Sequence, residues 1–290
     1  MPASRRTIVI LGPREDAVLE HFHRYCSAHS LACHRVSDPR DMPFILTFGR
    51  QRGVGARLAM NGEEYLLADV ALFIRGMGHM MHSTLDNPFS QGEYFSALWA
   101  LASQAPHIIN RPGRWAWESR IAQERYFGEA SLLPRSTSHS TSYFSQRLAT
   151  LGPGYHQADV SNVTEHKTFS FNRAEEQAFH QSGHVLSGRF TGQPRYLIEL
   201  FSGACAKVVL DETGLGFPVP SYLDLRERIL AFASDHSLQH FAVVTLFVDG
   251  HPRLAKLDIE PPPRWYEEYG TDLFQGMVQV LLGHTESEVP

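Results

Sequence analysis

Two carboxylates near the C-terminus have a spacing that suits metal binding. Asp258 and Glu260 end an apolar strand, and the three residues Pro261–Pro263 stop it. Residues two apart on a strand point to the same face, so the spacing predicts two carboxylates side by side at the end of a sheet. Oxygen ligands of this kind suit Mg²⁺ that holds the phosphates of a nucleotide. The alternative is an edge hairpin with a solvated acidic tip.

The composition is typical of a soluble globular protein. Hydrophobic residues make up 43% of the chain and charged residues 20%. The net charge of -5 argues against a surface that coats nucleic acid. No apolar run approaches the roughly 20 residues of a membrane span, and the run after Arg6 is too short for a signal peptide. Three widely spaced cysteines without a CxxC motif predict a cytoplasmic protein without a disulfide framework.

Several enzyme classes lack their sequence signatures. The chain has no Gly-x-Ser-x-Gly nucleophile elbow. Gly12-Pro13-Arg14, after the first apolar run, departs from the Gly-x-Gly-x-x-Gly of a dinucleotide site. Chemistry that needs a lysine is restricted, because only three of the 26 lysines and arginines are lysines. These are Lys167, Lys207 and Lys256.

Strand and helix patterns alternate through the first 110 residues. Short buried-type apolar runs are separated by segments with helical spacing, and this order predicts an open α/β sheet. Asn61-Gly62 lies between two short apolar segments and predicts a tight hairpin. The predicted elements are strands at 7–11, 31–36, 56–60, 64–67, 70–74 and 107–109, and helices at 18–26 and 90–104.

In the second half, secondary structure can be predicted for the C-terminal part but not for the polar centre. Residues 134–194 are rich in Ser, Thr, His and Gln and give no clear periodicity. The C-terminal part reads as antiparallel strands and amphipathic helices, which indicates an α+β unit. The predicted elements are helices at 115–127, 222–234 and 272–282, a strand pair at 196–201 and 204–210, and a hairpin at 241–257.

Several short segments, in this order, resemble the ATP-grasp superfamily. The branch is the one containing glutathione synthetase, ribosomal-protein glutamate ligases and the ligases that macrocyclise ribosomal peptides. The resemblance covers residues 7–135 and 195–283 and leaves 136–194 without a counterpart. The segments are the hairpin, strand and arginine of Asn61–Arg75, the Asn-x-Pro of Asn110–Pro112, the Pro-x-Thr of Leu133–Thr137, the strand pair Tyr196–Val209 and the acidic segment Leu257–Trp265.

The resemblance implies three structural units. Residues 1–112 would form an open α/β domain that shapes the substrate side. Residues 113–194 would form a central lid, and residues 195–290 would form the floor of the nucleotide site. Such enzymes phosphorylate a carboxylate with ATP and let an amine attack the acyl phosphate, so catalysis is mostly positioning and charge neutralisation.

The resemblance also implies roles for individual residues. Asp258 and Glu260 would hold Mg²⁺. Four residues would contact ATP, and three basic residues would act on the substrate carboxylate or acyl phosphate. The predicted ATP contacts are Arg120, Lys167, Lys207 and Glu199, and the predicted catalytic residues are Arg75, Lys207 and Arg264. Arg111 is a further candidate for the substrate carboxylate.

Departures from the family pattern leave the function open. Thr245 stands where the first metal-binding aspartate is expected, Arg120 replaces a lysine, and Lys207 replaces an arginine. The first hypothesis is an ATP- and Mg²⁺-dependent carboxylate–amine ligase acting on an amino acid, peptide or related metabolite, with a homodimer as one possible assembly. The second is a catalytically altered binding or scaffold module that recognises a peptide or partner protein. A third is phosphotransfer to a hydroxyl group.

Overall fold

The fold is described here from a computed structural model of the chain. The described residues are 6–49, 53–76, 88–111, 123, 126–130, 136–138, 155–158, 167–170, 185–187, 195–214, 216, 220–248 and 250–283. None of the helices within these ranges is both long and apolar enough to cross a membrane.

The described residues form fifteen strands and four α-helices with defined bounds. The strands in the first half are β1 (Thr7–Leu11), β2 (Cys33–Val36), β3 (Phe44–Gly49), β4 (Gly53–Met60), β5 (Glu63–Leu66), β6 (Val70–Ile74) and β7 (His107–Ile108). The remaining strands are β8 (Ser136–Ser138), β9 (Tyr155–Ala158), β10 (Lys167–Ser170), β11 (Val185–Ser187), β12 (Arg195–Ser202), β13 (Cys205–Asp211), β14 (His240–Val248) and β15 (His251–Asp258). The helices are α1 (Ala17–Ala28), α2 (Pro88–Gln104), α3 (Pro220–Asp235) and α4 (Gly270–Leu282).

A parallel sheet organises the first half and confirms the predicted open α/β arrangement. Its strand order is β2-β1-β6-β7, and every pair is parallel. Helix α1 makes the crossover from β1 to β2. The helix starts at Ala17, one residue before the predicted start, because the Asp16 side chain accepts hydrogen bonds from the backbone N–H groups of Val18 and Leu19, at 2.9 and 3.2 Å.

A small antiparallel sheet, β3-β4-β5, packs beside the parallel sheet. Asn61 and Gly62 join β4 to β5 with φ values of 51° and 82°, which is the positive-φ pair of a type I′ turn. This hairpin confirms the prediction. Strand β3 was not predicted, because it lacks the alternation of apolar and polar residues that marks a half-buried strand. The apolar residue Ile45 lies on its outer face, with 69% of its surface exposed.

An antiparallel sheet of order β13-β12-β14-β15 forms the C-terminal part. Helix α3 covers one face, where Leu197 and Phe201 of β12 pack with Ile229 and Phe232. Helix α4 packs on the opposite face, where Leu200 meets Met277. The predicted strand pair, hairpin and two helices are therefore confirmed.

One hydrophobic core joins the two halves of the chain. Ile8 and Phe22 from the first half share it with Leu200, Phe274 and other residues of the second half. The Phe22 ring contacts the Phe274 ring at a centroid distance of 5.5 Å. Burial of this shared surface stabilises the packing of the parallel sheet against helix α4.

The centre of the chain contributes four short strands within the described residues. Strands β9 and β10 pair antiparallel, and β8 pairs antiparallel with β11. Of the predicted helix at 115–127, the described residues Gln123, Tyr126 and Phe127 are helical. The predicted unit boundaries at 112 and 194 stay predictions.

A close backbone contact fixes helix α4 to the sheet at Gly276. A Cβ atom at this position would lie 2.2 Å from the Ser202 carbonyl oxygen and 3.2 Å from the Cys205 Cβ. Gly276→Ala is therefore expected to lower the free energy of unfolding by about 1–3 kcal/mol, as overpacking does. Urea denaturation followed by circular dichroism measures this change.

The matched control is Gly92→Ala in helix α2, where an added Cβ meets no atom within 4 Å. This substitution is expected to raise the stability, by up to about 1 kcal/mol, because alanine loses less backbone entropy than glycine in a helix. Equal effects of the two substitutions would contradict the proposed contact.

Candidate functional site

Asp258, the last residue of β15, lies in a buried ion pair. Lys256 is two residues earlier on the same strand, and its Nζ donates to Asp258 Oδ2 at 2.8 Å. The two residues are only 2% and 3% exposed. The other carboxylate oxygen, Oδ1, accepts the backbone N–H of Glu260 at 3.0 Å. Both oxygens of Asp258 are therefore already engaged by groups of this chain.

Glu260 lies just beyond the end of β15 and connects to the first half of the chain. Its Oε1 accepts the backbone N–H of Gly76 at 2.7 Å. Gly76 follows the parallel strand β6 and has a φ of 60°, a conformation that glycine adopts without strain. The end of the C-terminal sheet and the end of β6 therefore meet at this carboxylate.

The oxygen atoms of Asp258 and Glu260, as they are arranged, do not form a suitable set of ligands for a magnesium ion. Mg²⁺ demands near-ideal octahedral oxygen coordination, and the Lys256 ammonium already holds one oxygen of the first carboxylate. Thr245 stands where the resemblance places the first metal-binding aspartate. Its side chain is fully buried, and its hydroxyl is close enough to Tyr222 to lower that residue's pKa. Among the described residues, no group of three His, Cys, Asp or Glu side chains could hold a metal.

Arg75, at the end of β6, is buried between the two halves. Its Nε donates to Asp16 Oδ2 at 2.7 Å, and its Nη2 donates to the Pro261 carbonyl at 2.8 Å. Burial alone lowers the pKa of Arg75, but Tyr266 and the carboxylates of Asp16 and Glu260 outweigh it, so the pKa is raised. The guanidinium is therefore a fixed positive charge, and its buried Nη1 has no hydrogen-bond partner among the residues that the structure describes.

A chain of hydrogen bonds runs beside Arg75 through His240, which is fully buried. His240 Nε2 lies 2.5 Å from the Tyr266 hydroxyl, and its Nδ1 lies 3.3 Å from Ser202 Oγ. Because the Ser202 hydroxyl donates to the Leu273 carbonyl at 2.8 Å, we assign the ring proton to Nδ1 and let the Tyr266 hydroxyl donate to Nε2. Burial, with a smaller contribution from Arg75, lowers the pKa of His240 to about 3, so this imidazole is neutral.

Asn110 ties β14 to the end of the parallel sheet. It has a φ of 54°, and its Oδ1 accepts the backbone N–H groups of Gln239 and His240 at 3.0 and 3.1 Å. Its Nδ2 donates to the His240 carbonyl. The asparagine that contributed to the family resemblance therefore positions β14. The neighbouring Arg111 donates to the Ser103 carbonyl at 2.7 Å, at the end of helix α2.

Glu199 lies on the opposite face of the sheet, under helix α3. Its two carboxylate oxygens share the single N–H of Arg226 Nε, each at 2.9 Å, and Oε1 also accepts from Nη2 at 2.7 Å. The Tyr222 hydroxyl also donates to it at 3.0 Å. Charge-assisted pairs of this geometry are strong. The predicted ATP contact of Glu199 stays a prediction, and in this structure the carboxylate binds α3 to β12.

The remaining predicted residues lie at separate places. Lys207 on β13 pairs with Asp272 Oδ2 of α4 at 2.5 Å and lies 5.5 Å from the centre of the Tyr269 ring. Arg264 is exposed and lies over the Trp265 ring at 6.0 Å. Lys167 is on β10 opposite Ala158. Arg120 lies outside the described residues.

Three solved structures are similar to this chain over almost its whole length. One is the macrocyclase MdnC from Microcystis aeruginosa MRC bound to the precursor peptide MdnA, with a TM-score of 0.70, 13% identity, and coverage of 96% of this chain and 99% of that one. The second is a RiPP-associated ATP-grasp ligase from Chryseobacterium gregarium with ADP and leader and core peptides, with a TM-score of 0.68, 11% identity, and coverage of 96% and 97%. The third is the ATP-grasp ligase PsnB with a minimal precursor, Mg and ADP, with a TM-score of 0.64, 14% identity, and coverage of 97% and 98%.

The chain has the ATP-grasp fold. This confirms the predicted fold class and the resemblance that the short segments indicated. No family model matches the sequence, and a search of curated proteins found no match. The likeness therefore lies in the fold.

The sequence prediction missed the contacts of four residues around the candidate site. Lys256 was recognised as a lysine but not as the partner of Asp258, although the spacing rule that paired the two acids also puts Lys256 on that face. The partners of His240, Tyr266 and Arg226 are at least 26 residues away in the chain, so local spacing did not indicate these contacts.

Proposed function

We propose that this chain is a binding module on an ATP-grasp scaffold that recognises a peptide or partner protein, with the metal position closed by Lys256. The observation that carries the proposal is the buried pair of the Lys256 ammonium and the Asp258 carboxylate at 2.8 Å. A divalent cation at Asp258 would have to displace this ammonium or lie next to it. Either arrangement is costly, because like charges repel strongly where water is scarce.

Peptide recognition is supported by what similar structures contain. MdnC is bound to a precursor peptide, and the ligase from Chryseobacterium gregarium is in complex with a leader and core peptide. Binding a peptide requires the scaffold but not the metal. A chain that keeps the whole fold while its metal position is filled by its own lysine is consistent with that role.

Calorimetric titration with ADP, with and without Mg²⁺, tests this proposal. We expect no Mg²⁺-dependent heat at millimolar ADP. A library of short synthetic peptides serves as the binding probe, and we expect at least one member to bind equally well to the native chain and to the isosteric Asp258→Asn/Glu260→Gln variant. Circular dichroism of the variant confirms that it is folded.

The second candidate is an ATP- and Mg²⁺-dependent carboxylate–amine ligase. It is favoured by the similarity to PsnB, whose structure contains Mg and ADP, and by the two acids kept at Asp258 and Glu260. In this candidate, Arg75, Lys207 and Arg264 act on the substrate, and Arg120, Lys167 and Glu199 contact the nucleotide. Mg²⁺-dependent heat that the Asp258→Asn/Glu260→Gln variant loses would establish this candidate and overturn the first.

A further inference from the structure

Two of the three cysteines lie together at one end of helix α1. Cys26 is in the last turn of α1 and is buried, and Cys33 is the first residue of β2 and is partly exposed. A tight turn brings them together, with the backbone N–H groups of His29 and Leu31 bonding to the Cys26 carbonyl at 3.2 and 3.0 Å. Both side chains pack in the same hydrophobic core, and the two thiols are close enough to act on each other's ionisation.

Further groups around Cys33 favour its thiolate. Ser27 Oγ lies 3.8 Å from Cys33 Sγ, and the imidazoles of His23 and His34 are close enough to act on its charge. The hydrogen bond from Cys26, followed by that of Ser27 and the two histidines, lowers the pKa of Cys33 to about 6 against the opposing effect of burial. For Cys26 the hydrogen bond to Cys33 and burial raise the pKa.

Cys33 is partly exposed and has a lowered pKa, while Cys26 is buried and has a raised pKa. This difference is typical of a redox pair in which one sulfur attacks the oxidant and the other closes the disulfide. The attacking thiol of such a pair is accessible and ionised, while the resolving thiol is close by. Cys205, the third cysteine, is also partly exposed, but burial raises its pKa. It therefore serves as an internal reference for an ordinary thiol.

We propose that Cys33 and Cys26 form a redox-active pair, in which a hydroperoxide oxidises Cys33 and Cys26 then closes a reversible disulfide. The Cys33 thiolate attacks one peroxide oxygen, the O–O bond breaks, and the departing oxygen takes a proton to leave as water or an alcohol. The Cys26 sulfur then attacks the resulting sulfenic acid. The S–O bond breaks, the S–S bond forms, and the Cys26 proton leaves with the released oxygen as water.

The disulfide would join the end of α1 to the edge strand of the parallel sheet. Cys26 belongs to the hydrophobic core that both halves of the chain share, packing with residues such as Phe22 and Phe274. Oxidation therefore modifies a residue at the border of this core and leaves the region of Asp258 chemically unchanged. The pair would act as a redox-sensitive site, separate from peptide or nucleotide binding.

Peptide mapping of the full-length protein tests the proposal directly. Trypsin cleaves after Arg24 and Arg35, so both cysteines fall in the single peptide Tyr25–Arg35. After treatment with hydrogen peroxide and blocking with N-ethylmaleimide, this peptide is expected to be two hydrogens lighter and unlabelled, while Cys205 carries the label. Dithiothreitol is expected to restore both thiols. Labelling of all three cysteines, or faster oxidation of Cys205, would overturn the proposal.

Three serine variants assign the roles of the two sulfurs. Cys26→Ser is expected to accumulate the Cys33 sulfenic acid, which dimedone traps, and Cys33→Ser is expected to lose peroxide reactivity in this peptide. Cys205→Ser is the matched control and should behave as the native chain. Alkylation of Cys33 in Cys26→Ser gives a second readout, since it should remain faster than that of Cys205 at neutral pH. Dimedone labelling of Cys26 in the Cys33→Ser variant would reverse the assignment and contradict the proposal.

Discussion

Lys256→Met is expected to lower the free energy of unfolding by about 3–5 kcal/mol, the usual cost of leaving one partner of a buried ion pair alone. Methionine keeps the apolar stem of the lysine and removes its charge. Asp258 then stays buried and, within the described part of the chain, keeps the Glu260 N–H as its one hydrogen-bond donor. Urea denaturation at pH 7 measures the loss. Unchanged stability would mean that the pair contributes little to this fold.

A second substitution separates the charge from the packing. Lys256→Met/Asp258→Asn keeps the Oδ1 acceptor and removes the uncompensated charge, so most of the lost stability is expected to return. Arg24→Ala breaks an exposed pair in which 70% of the arginine and 43% of Glu20 are accessible. Such a surface pair contributes about 0–1 kcal/mol, which makes it the control for ordinary ion pairs.

Addition of Mg²⁺ tests whether the Lys256 ammonium occupies the position that a bound metal ion would take. If the ammonium occupies that position, millimolar Mg²⁺ should raise the melting temperature of Lys256→Met and leave the native chain and the double variant unaffected. A ligand that binds only the folded state stabilises it according to its concentration over its dissociation constant. Equal shifts in all three proteins would indicate unspecific binding elsewhere.

His240 is expected to make the fold sensitive to acid. Its pKa in the folded chain is about 3, below the ordinary value near 6.5, so the unfolded chain takes up the proton first. The stability is therefore complete above about pH 6.5 and falls as the pH decreases toward 3. The slope contributed by this one residue is about 1.4 kcal/mol per pH unit.

The comparison variant is His240→Gln, which keeps a polar side chain but does not titrate. Chemical denaturation at pH 7.0, 6.0 and 5.0 gives the slope of unfolding free energy against pH for both proteins. This window lies above the titration of ordinary carboxylates. We expect the native slope to exceed that of the variant by about 1.4 kcal/mol per pH unit over the lower part of this window. Parallel slopes would show that His240 does not remain neutral on folding.

The arrangement of strands and helices was predictable where local patterns agree with burial. A few residues are enough to predict the apolar strand Thr7–Leu11, in which all residues from Ile8 onward are buried. The same holds for the turn at Asn61-Gly62. Strand β3 escaped prediction because Ile45 puts an apolar side chain on the outer face. The polar centre at 134–194 has neither pattern, so its short strands could not be predicted from local periodicity.

The site was predictable only as far as local spacing reaches. The i, i+2 rule indicated the neighbouring acids Asp258 and Glu260, and the same rule accounts for Lys256. The contacts of Asn110 with His240 join residues 130 apart, and those of Arg75 with Pro261 join residues 186 apart. Contacts between such distant residues depend on how the two sheets pack against each other. Local spacing in a single sequence does not predict that packing.

The shared core also determines when the protein can finish folding during its synthesis. Phe22 packs against Phe73 within the first half and against Phe274 from the last helix. Translation proceeds at about 5–20 residues per second, so Phe274 leaves the ribosome on the order of tens of seconds after Phe22. During that interval the apolar face of α1 has no cover from α4. Helix α4 is thus the element that covers this face of α1, and the nascent chain cannot bury the face before α4 has left the ribosome.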